Sequence, residues 1–153
     1  MSDLWNEIGV SIVIPTYKRP NDILRALKSV EDEARKQKLC EIVVTDNDPA
    51  ASAKEIVMSF IEQTDVTTFY IHEPNPGVSN ARNTALKNAR GRYIAFLDDD
   101  MEALEGWVTQ SLKASRDFDA GLVFGPVDAV MPEGKAIYPY MACLLYTSDA
   151  ADD

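Results

Sequence analysis

Three consecutive aspartates, Asp98, Asp99 and Asp100, follow the apolar run Tyr93 to Leu97. Two carboxylates about 4 Å apart repel by roughly 4 kcal/mol at an effective dielectric near 20, so such a cluster is expected to be solvated or to hold a cation. Oxygen donors select hard ions, and Mg²⁺ or Mn²⁺ held by one or two carboxylates is commonly completed by substrate phosphates. An ion bridging Asp98 and Asp100 to a diphosphate would neutralise the charge of a departing group. An EF-hand is excluded, because its sixth loop position would be Ala103 and its twelfth Thr109. The plain alternative is an acidic turn at a strand end, which the strand before the triplet and the matching loops elsewhere disfavour.

These carboxylates need a scaffold, and the hydrophobic pattern supplies one. Ser11 to Ile14 is a β-branched run that stops at Pro15, as a buried strand entering a loop would. Ile23, Leu27, Val30 and Ala34 then recur at helical spacing, with Pro20 where a first-turn proline is tolerated. Glu41 to Thr45 repeats the strand pattern, and Asp48-Pro49 predicts an N-cap and first turn for a helix carrying Ile56, Val57, Phe60 and Ile61. Thr67 to Ile71 predicts a third strand, and Val78, Ala81, Ala85, Leu86 and Ala89 a helix closed by Gly91. Tyr93 to Leu97 is the fourth strand, followed by a helix with Leu104, Trp107, Val108 and Leu112 and a further strand around Leu122 to Phe124. Alternation of this kind predicts an α/β fold, a mainly parallel sheet with helices on both faces. Ligands of such sheets sit beyond the C-terminal strand ends. Four polar loops fall there: Pro15-Thr16-Tyr17, Asp46-Asn47, the segment NPGVSNARN and the aspartate triplet.

Composition bounds the possibilities. With 46% hydrophobic residues in 153, the chain can bury one core and has no room for two full domains. No run approaches the roughly 18 to 20 apolar residues of a membrane helix, and the first residues lack the pattern of a signal peptide, so a cytoplasmic location is expected. Cys40 and Cys143 are too few for a disulfide framework or a thiolate metal site. A formal charge of −10 argues against nucleic-acid binding. A metal ion would still let so acidic a chain hold a polyanion.

The last eleven residues, CLLYTSDAADD, resemble the in-frame translation of a transposon-end sequencing adapter. The expected division is therefore a natural part, 1–142, and a non-native tail, 143–153. The tail takes three aspartates with it, Asp149, Asp152 and Asp153, and the remainder stays acidic.

The strings VSIVIPTYKRP, EIVVTDN and NPGVSNARNTALKNARGRYIAFLDDD together resemble family-two glycosyltransferases of the GT-A type, across nearly all of Ile8 to Trp107. By that resemblance Pro15, Thr16 and Tyr17 line a nucleotide pocket, Asp46 hydrogen-bonds the base beside Asn47, and Asp98, Asp99 and Asp100 form a DxD-type motif for ribose and metal. Arg82 matches the basic position of the ARN segment and lies near the diphosphate, and Gly77 fits the NxG turn, where the absent side chain permits close approach. Asp48 departs from the pattern, where the family often has Gly, and bears on the loop shape and nucleotide preference. The implied donor is a nucleotide-diphosphate sugar, a UDP-sugar first, and the implied cofactor is Mn²⁺ or Mg²⁺. The acceptor, a glycan, lipid or other molecule, is not readable. An inverting transfer also needs a general base, which the family carries later in its chain. It is expected beyond Ala142, with Asp128 and Glu133 as weak substitutes outside any family motif. On this reading 1–142 is the donor-binding part of a parent enzyme, whose missing portion could attach it to a membrane.

Other residues have simpler readings. Asp48 reads as a helix cap, Cys40 as a strand-start packing residue, Trp107 as core or a contact to the sugar, and the lone His72 as non-catalytic. Arg19 is either a phosphate contact or a solvated loop arginine. The rival functions are a nucleotide- or metal-binding module without catalysis, a related nucleotidyltransferase and a haloacid dehalogenase-type phosphatase. The nucleotidyltransferase would need a Gly-rich basic loop in place of PTYKRPND. The phosphatase would place its DxD after the first strand, whereas three strands precede this one.

Overall fold

The computed structural model describes residues 9–37, 39–128 and 130. The chain divides into two units, Met1–Gln110 and Ser111–Asp153. The first contains β1 (Val10–Thr16), α1 (Pro20–Lys36), β2 (Cys40–Asp46), α2 (Lys54–Gln63), β3 (Thr68–His72), α3 (Val78–Asn88), β4 (Tyr93–Phe96) and the start of α4 (Trp107–Asp117). Its sheet has the order β3-β2-β1-β4 with every pair parallel. The chain steps outward from β1 to β3 and then returns to the other side of β1. That reversal opens a crevice beyond the ends of β1 and β4, where doubly wound sheets bind ligands.

The apolar runs are continuous because the two central strands are covered on both faces. Ile12, Val13, Ile14, Ile42, Val43 and Val44 are all fully buried. Val13 and Val43 pack with Ala85 of α3, and Ile71, Ala89 and Ile94 close that cluster. Side chains alternate along a strand, so Ile12, Ile14, Ile42 and Val44 face the opposite side, where α1 lies against β1 and β2 with Ile23, Leu27 and Val30 buried. Each such side chain contributes roughly 1.5–3 kcal/mol by leaving water. The small residues Ala81 and Ala85 let α3 lie close to the sheet. Pro20 occupies the first turn of α1 as expected, and Asp22 near its start and Arg35 and Lys36 near its end match the helix dipole.

The structure departs from the sequence reading at several points, each with a local cause. β1 runs through Pro15 to Thr16 instead of stopping at the proline. Odd-numbered residues of β1 point their backbone toward β4, as the bond from Leu97 N to Val13 O shows. The pairing with β4 ends at Val13 opposite Phe96, so the N–H that Pro15 lacks would have met no strand partner. α2 begins at Lys54, not beside Asp48, and Asp48 caps no helix. Its Oδ1 accepts from Ala50 N at 3.1 Å, its carbonyl accepts from Ala51 N, and Ala51 adopts φ 53°, a tight turn placed ahead of the helix.

Gly91 is not a left-handed helix cap, since α3 ends in the extended residue Ala89. It is needed for space: a Cβ there would lie 2.3 Å from Ser11 N and 2.6 Å from Val10 C. Leu104 lies before α4 and is exposed, because α4 starts only at Trp107. In the second unit, the strand expected around Leu122 to Phe124 is absent among the described residues, and both side chains are exposed. A strand is made by its ladder partner, and none is paired with this run among them. Residues 143–153 lie outside the described residues, as does Glu133. No helix among the described residues is long and apolar enough to cross a membrane.

One buried ion pair ties the turn after α3 into the sheet. Glu41, fully buried on β2, accepts from Ser11 Oγ at 2.6 Å and from Arg90 N at 2.7 Å, and pairs with the Arg90 guanidinium at 2.6 Å. Ser11 Oγ in turn accepts from Gly91 N at 2.7 Å. Arg90 also lies over the Phe69 ring, 4.6 Å from its centroid.

Two outcomes follow for stability in urea. Gly91→Ala forces backbone against backbone and lowers unfolding free energy by about 2 kcal/mol. Arg90→Met strands the buried Glu41 charge and costs on the order of 3 kcal/mol; a wild-type midpoint in that variant would show that the pair does not hold the turn.

Candidate functional site

Because all four strands run the same way, their C-terminal ends share one rim. Thr16, Asp46 and His72 lie level across β1, β2 and β3. On the other side of β1, Asp99 joins this row, since Thr16 Oγ1 donates to Asp99 Oδ2 at 2.7 Å. Asp99 is buried, whereas the side chains of Asp98 and Asp100 are each about half exposed, 47% and 52%. The triplet therefore has one carboxylate turned into the fold and one on either side of it open to solvent.

Each of the three carboxylates has a cationic partner. Arg19, the residue at the start of α1, bridges Asp99 at 3.0 Å and Asp100 at 2.7 Å through the same nitrogen. Arg82, in the first turns of α3, reaches Asp98 at 3.3 Å and lies over the Phe96 ring. Two arginines against three carboxylates leave the cluster short of positive charge. Asp98 and Asp100 are the donors available to a hard metal ion, and among the described residues no group of three or more His, Cys, Asp or Glu side chains gathers to hold one. Oxygens from elsewhere would have to complete the coordination.

The second half of the rim is built around Asp46 and Asn47. The Asp46 carboxylate is fully buried and accepts from Asp48 N, Ala53 N and the Tyr70 hydroxyl at 2.9–3.1 Å. Burial, and then the Asp46 charge, push the Tyr70 phenol well above its ordinary range. Asn47 spends its whole amide on the loop after β3: Nδ2 donates to the carbonyls of Glu73 and Asn75, and Oδ1 accepts from Gly77 N at 2.7 Å. Gly77 has φ 136°, a conformation strained for any L side chain, and that requirement rather than crowding by protein atoms explains the glycine. Asp48 is held below the ordinary carboxylate range by the Ser52 hydroxyl and Ala50 N. Tyr17 projects from the first loop, 44% exposed, with Lys18 Nζ 5.0 Å from its ring centre. Pro15 is the penultimate residue of β1, directly below this loop.

The residues singled out in the sequence thus fall into two neighbouring groups. Thr16, Arg19, Arg82 and the triplet touch one another, and Asp46, Asn47 and Gly77 are linked through the second and third loops. His72 ends β3 with Nε2 2.9 Å from the Asp48 carbonyl, a structural contact. Asp128 belongs to the second unit and is exposed. Sequence reading passed over Tyr70, Glu41 and Glu33. The signal was present for the last two: Glu41 stands at the head of an apolar strand, and Glu33 sits on the same stripe of α1 as Val30 and Ala34, so each had to find a buried partner.

The model of the family described as glycosyl transferase family 2 matches residues 11–148. The succinoglycan biosynthesis protein ExoM of Rhizobium meliloti is 34% identical over 124 residues, which cover 80% of this chain and 40% of that protein. Glycosyltransferase AglE of Haloferax volcanii is 29% identical over 82% of this chain and 41% of its own. The chain therefore spans less than half the length of these relatives. Among solved structures, S. aureus TarS superposes with a TM-score of 0.65 at 20% identity, over 86% of this chain and 23% of that one. The mannosyltransferase PcManGT of Pyrobaculum calidifontis, solved with GDP-Man and Mn²⁺, superposes with a TM-score of 0.61 at 23% identity, over 69% of this chain and 32% of that one. With its parallel GT-A sheet and a match over most of its length, the chain belongs to glycosyl transferase family 2.

Proposed function

We propose that the chain, over 1–142, is the donor-binding part of a metal-assisted, inverting glycosyltransferase that takes a nucleotide-diphosphate sugar, a UDP-sugar first. The observation that carries this reading is the fixing of Asp99 beneath β1 by Thr16, which leaves Asp98 and Asp100 open to solvent on either side. Two half-exposed carboxylates with room for phosphate and water oxygens suit Mn²⁺ or Mg²⁺. When bound, such an ion would offset charge on the diphosphate leaving group. PcManGT with GDP-Man and Mn²⁺, and TarS with UDP and with UDP-GlcNAc, are supporting relatives of the same fold.

The chain's own residues have separable tasks in this reading. Tyr17 and Pro15 offer surface to the nucleoside, and Thr16 holds Asp99 in place. Asp46 is assigned to the base side of the rim, where its fully buried carboxylate holds Asp48 N, Ala53 N and the Tyr70 hydroxyl and so sets the path of the loop that the base would meet. Asn47 keeps the loop bearing Gly77 folded back on the rim. Arg19 and Arg82, which pair with the triplet, stand close enough to meet a diphosphate brought to Asp98 and Asp100. The base that deprotonates the acceptor hydroxyl is assigned to chain beyond Ala142. Residues 143–153 are assigned to a non-native tail, and sequencing an intact clone decides that boundary. Membership of the family sets the phosphatase alternative aside. A binding module without transfer is the second reading.

Calorimetric titration of UDP, with Mn²⁺ and with chelator, separates the readings from no binding at all. Wild type is expected to bind UDP at least about tenfold more tightly with Mn²⁺, and Asp100→Ala to lose most of that gain. Equal affinity in all four titrations would remove the metal-assisted donor site.

A further inference from the structure

The carboxylate triplet lies in a ten-residue segment, 97–106, that forms neither helix nor strand and leads to α4. Such a segment has no ladder of its own to set its path. One end is fixed where Thr16 and Arg19 hold Asp99 and Asp100. The other end lies along α1, the helix that follows Arg19. Ser29 Oγ accepts from Ala103 N at 2.9 Å. One turn further, Glu33 accepts from Gly106 N at 2.8 Å through Oε1 and from Val108 N at 3.2 Å through Oε2. Lys36 pairs with Glu105 at 3.1 Å, and Gln37 Nε2 donates to Thr109 Oγ1 at 2.8 Å.

Glu33 is the costly member of this set. Its side chain is 2% exposed, in a stripe otherwise filled by Val30 and Ala34. A buried carboxylate is retained only where donors compensate it. Those donors are the N–H groups at the start of α4, which have no partner inside the helix, together with Lys36 Nζ at 3.2 Å. Burial on its own would raise the Glu33 pKa, and the bonds from Gly106, Lys36 and Val108 outweigh it and hold the group below its ordinary range. An apolar residue at this position would pack α1 as well and leave the segment unanchored. Gly106, with φ 84°, supplies the turn that brings its N–H to Glu33.

Resting on the donor-site reading above, we propose that Glu33, assisted by Ser29, is a positioning residue for the triplet: it fixes the far end of the 97–106 segment, so that Asp98 and Asp100 are presented in one arrangement to a metal-bound diphosphate. The first and second halves of the rim would then respond differently to its loss. Among the described residues no hydrogen bond or ion pair joins Glu33 or Ser29 to β2, β3 or the Asp46 loop, so polar nucleoside contacts there do not run through them. The metal-dependent part of donor affinity does.

The test uses the full chain with Glu33→Gln and, as a milder second variant, Ser29→Ala. UDP affinity is measured with Mn²⁺ and with chelator, and amide hydrogen exchange is followed over 97–108. The expected result is a cooperative melt in each variant, unchanged affinity in chelator, a loss of about tenfold in the Mn²⁺-dependent gain for Glu33→Gln, and faster exchange confined to 97–108. A gain kept in full, or exchange left at the wild-type rate, overturns the proposal. So does an equal fall in affinity with and without Mn²⁺, which marks a merely structural role. A wild-type chain with no Mn²⁺-dependent gain defeats the donor reading and this inference with it, whereas a wild-type gain that both variants keep defeats the inference alone.

Discussion

The hydrogen bond from Thr16 Oγ1 to Asp99 joins the last residue of one central strand to the loop that leaves its neighbour, and the chemistry of the rim is arranged around it. It turns the middle carboxylate of the triplet inward. The two flanking carboxylates stay open to solvent on a tight turn, which the bond from Met101 N to the Asp98 carbonyl closes at 3.0 Å. Without the Thr16 bond the triplet would be three solvated charges on a turn. With it, Asp98 and Asp100 are paired sites on a fixed base, next to the reversal in strand order that opens the crevice.

Acidic side chains in this protein serve two opposite ends, decided by how many donors surround them. Glu41, Glu33 and Asp46 are buried and satisfied by backbone N–H groups, a hydroxyl or a cation, and they join elements distant in sequence. Such groups are expensive to leave unpaired and so specify one arrangement of the chain. Asp98 and Asp100 have only one arginine nitrogen each and remain half exposed. A surface pair of that kind contributes little to stability, about 0–1 kcal/mol, and so can be exchanged for a ligand at small cost.

The two halves of the rim are held by different means. Asn47 fixes the loop after β3 entirely through side-chain to backbone bonds, and Gly77 contributes the backbone conformation that closes it. The triplet's loop depends on side chains from β1 and α1, a single strand-helix unit. The β1–α1 unit therefore carries Tyr17, Arg19 and the anchors of the metal-side loop together.

The element order and the parallel sheet were legible in the sequence, because a strand covered on both faces must be apolar without interruption, as Ile12 to Ile14 and Ile42 to Val44 are. The rim location of Thr16, Asp46, Gly77 and Asp98 to Asp100 followed from the same alternation, since every one of these residues ends a strand, follows one or precedes a helix. Local signals failed where a contact from elsewhere decided the matter. Asp48 and Pro49 looked like a helix start, yet Asp46 claims Ala53 N and delays α2 to Lys54. Gly91 looked like a cap and is instead the place where the chain crosses Ser11 too closely for a Cβ. Leu122 to Phe124 had the composition of a strand, but composition supplies no partner edge. The sequence by itself settled which residues reach the rim, because period and turn chemistry are properties of neighbours along the chain. Only the tertiary structure decided which of them are spent on the fold and which stay open, because burial and pairing depend on residues such as Thr16 and Asp99, eighty-three positions apart.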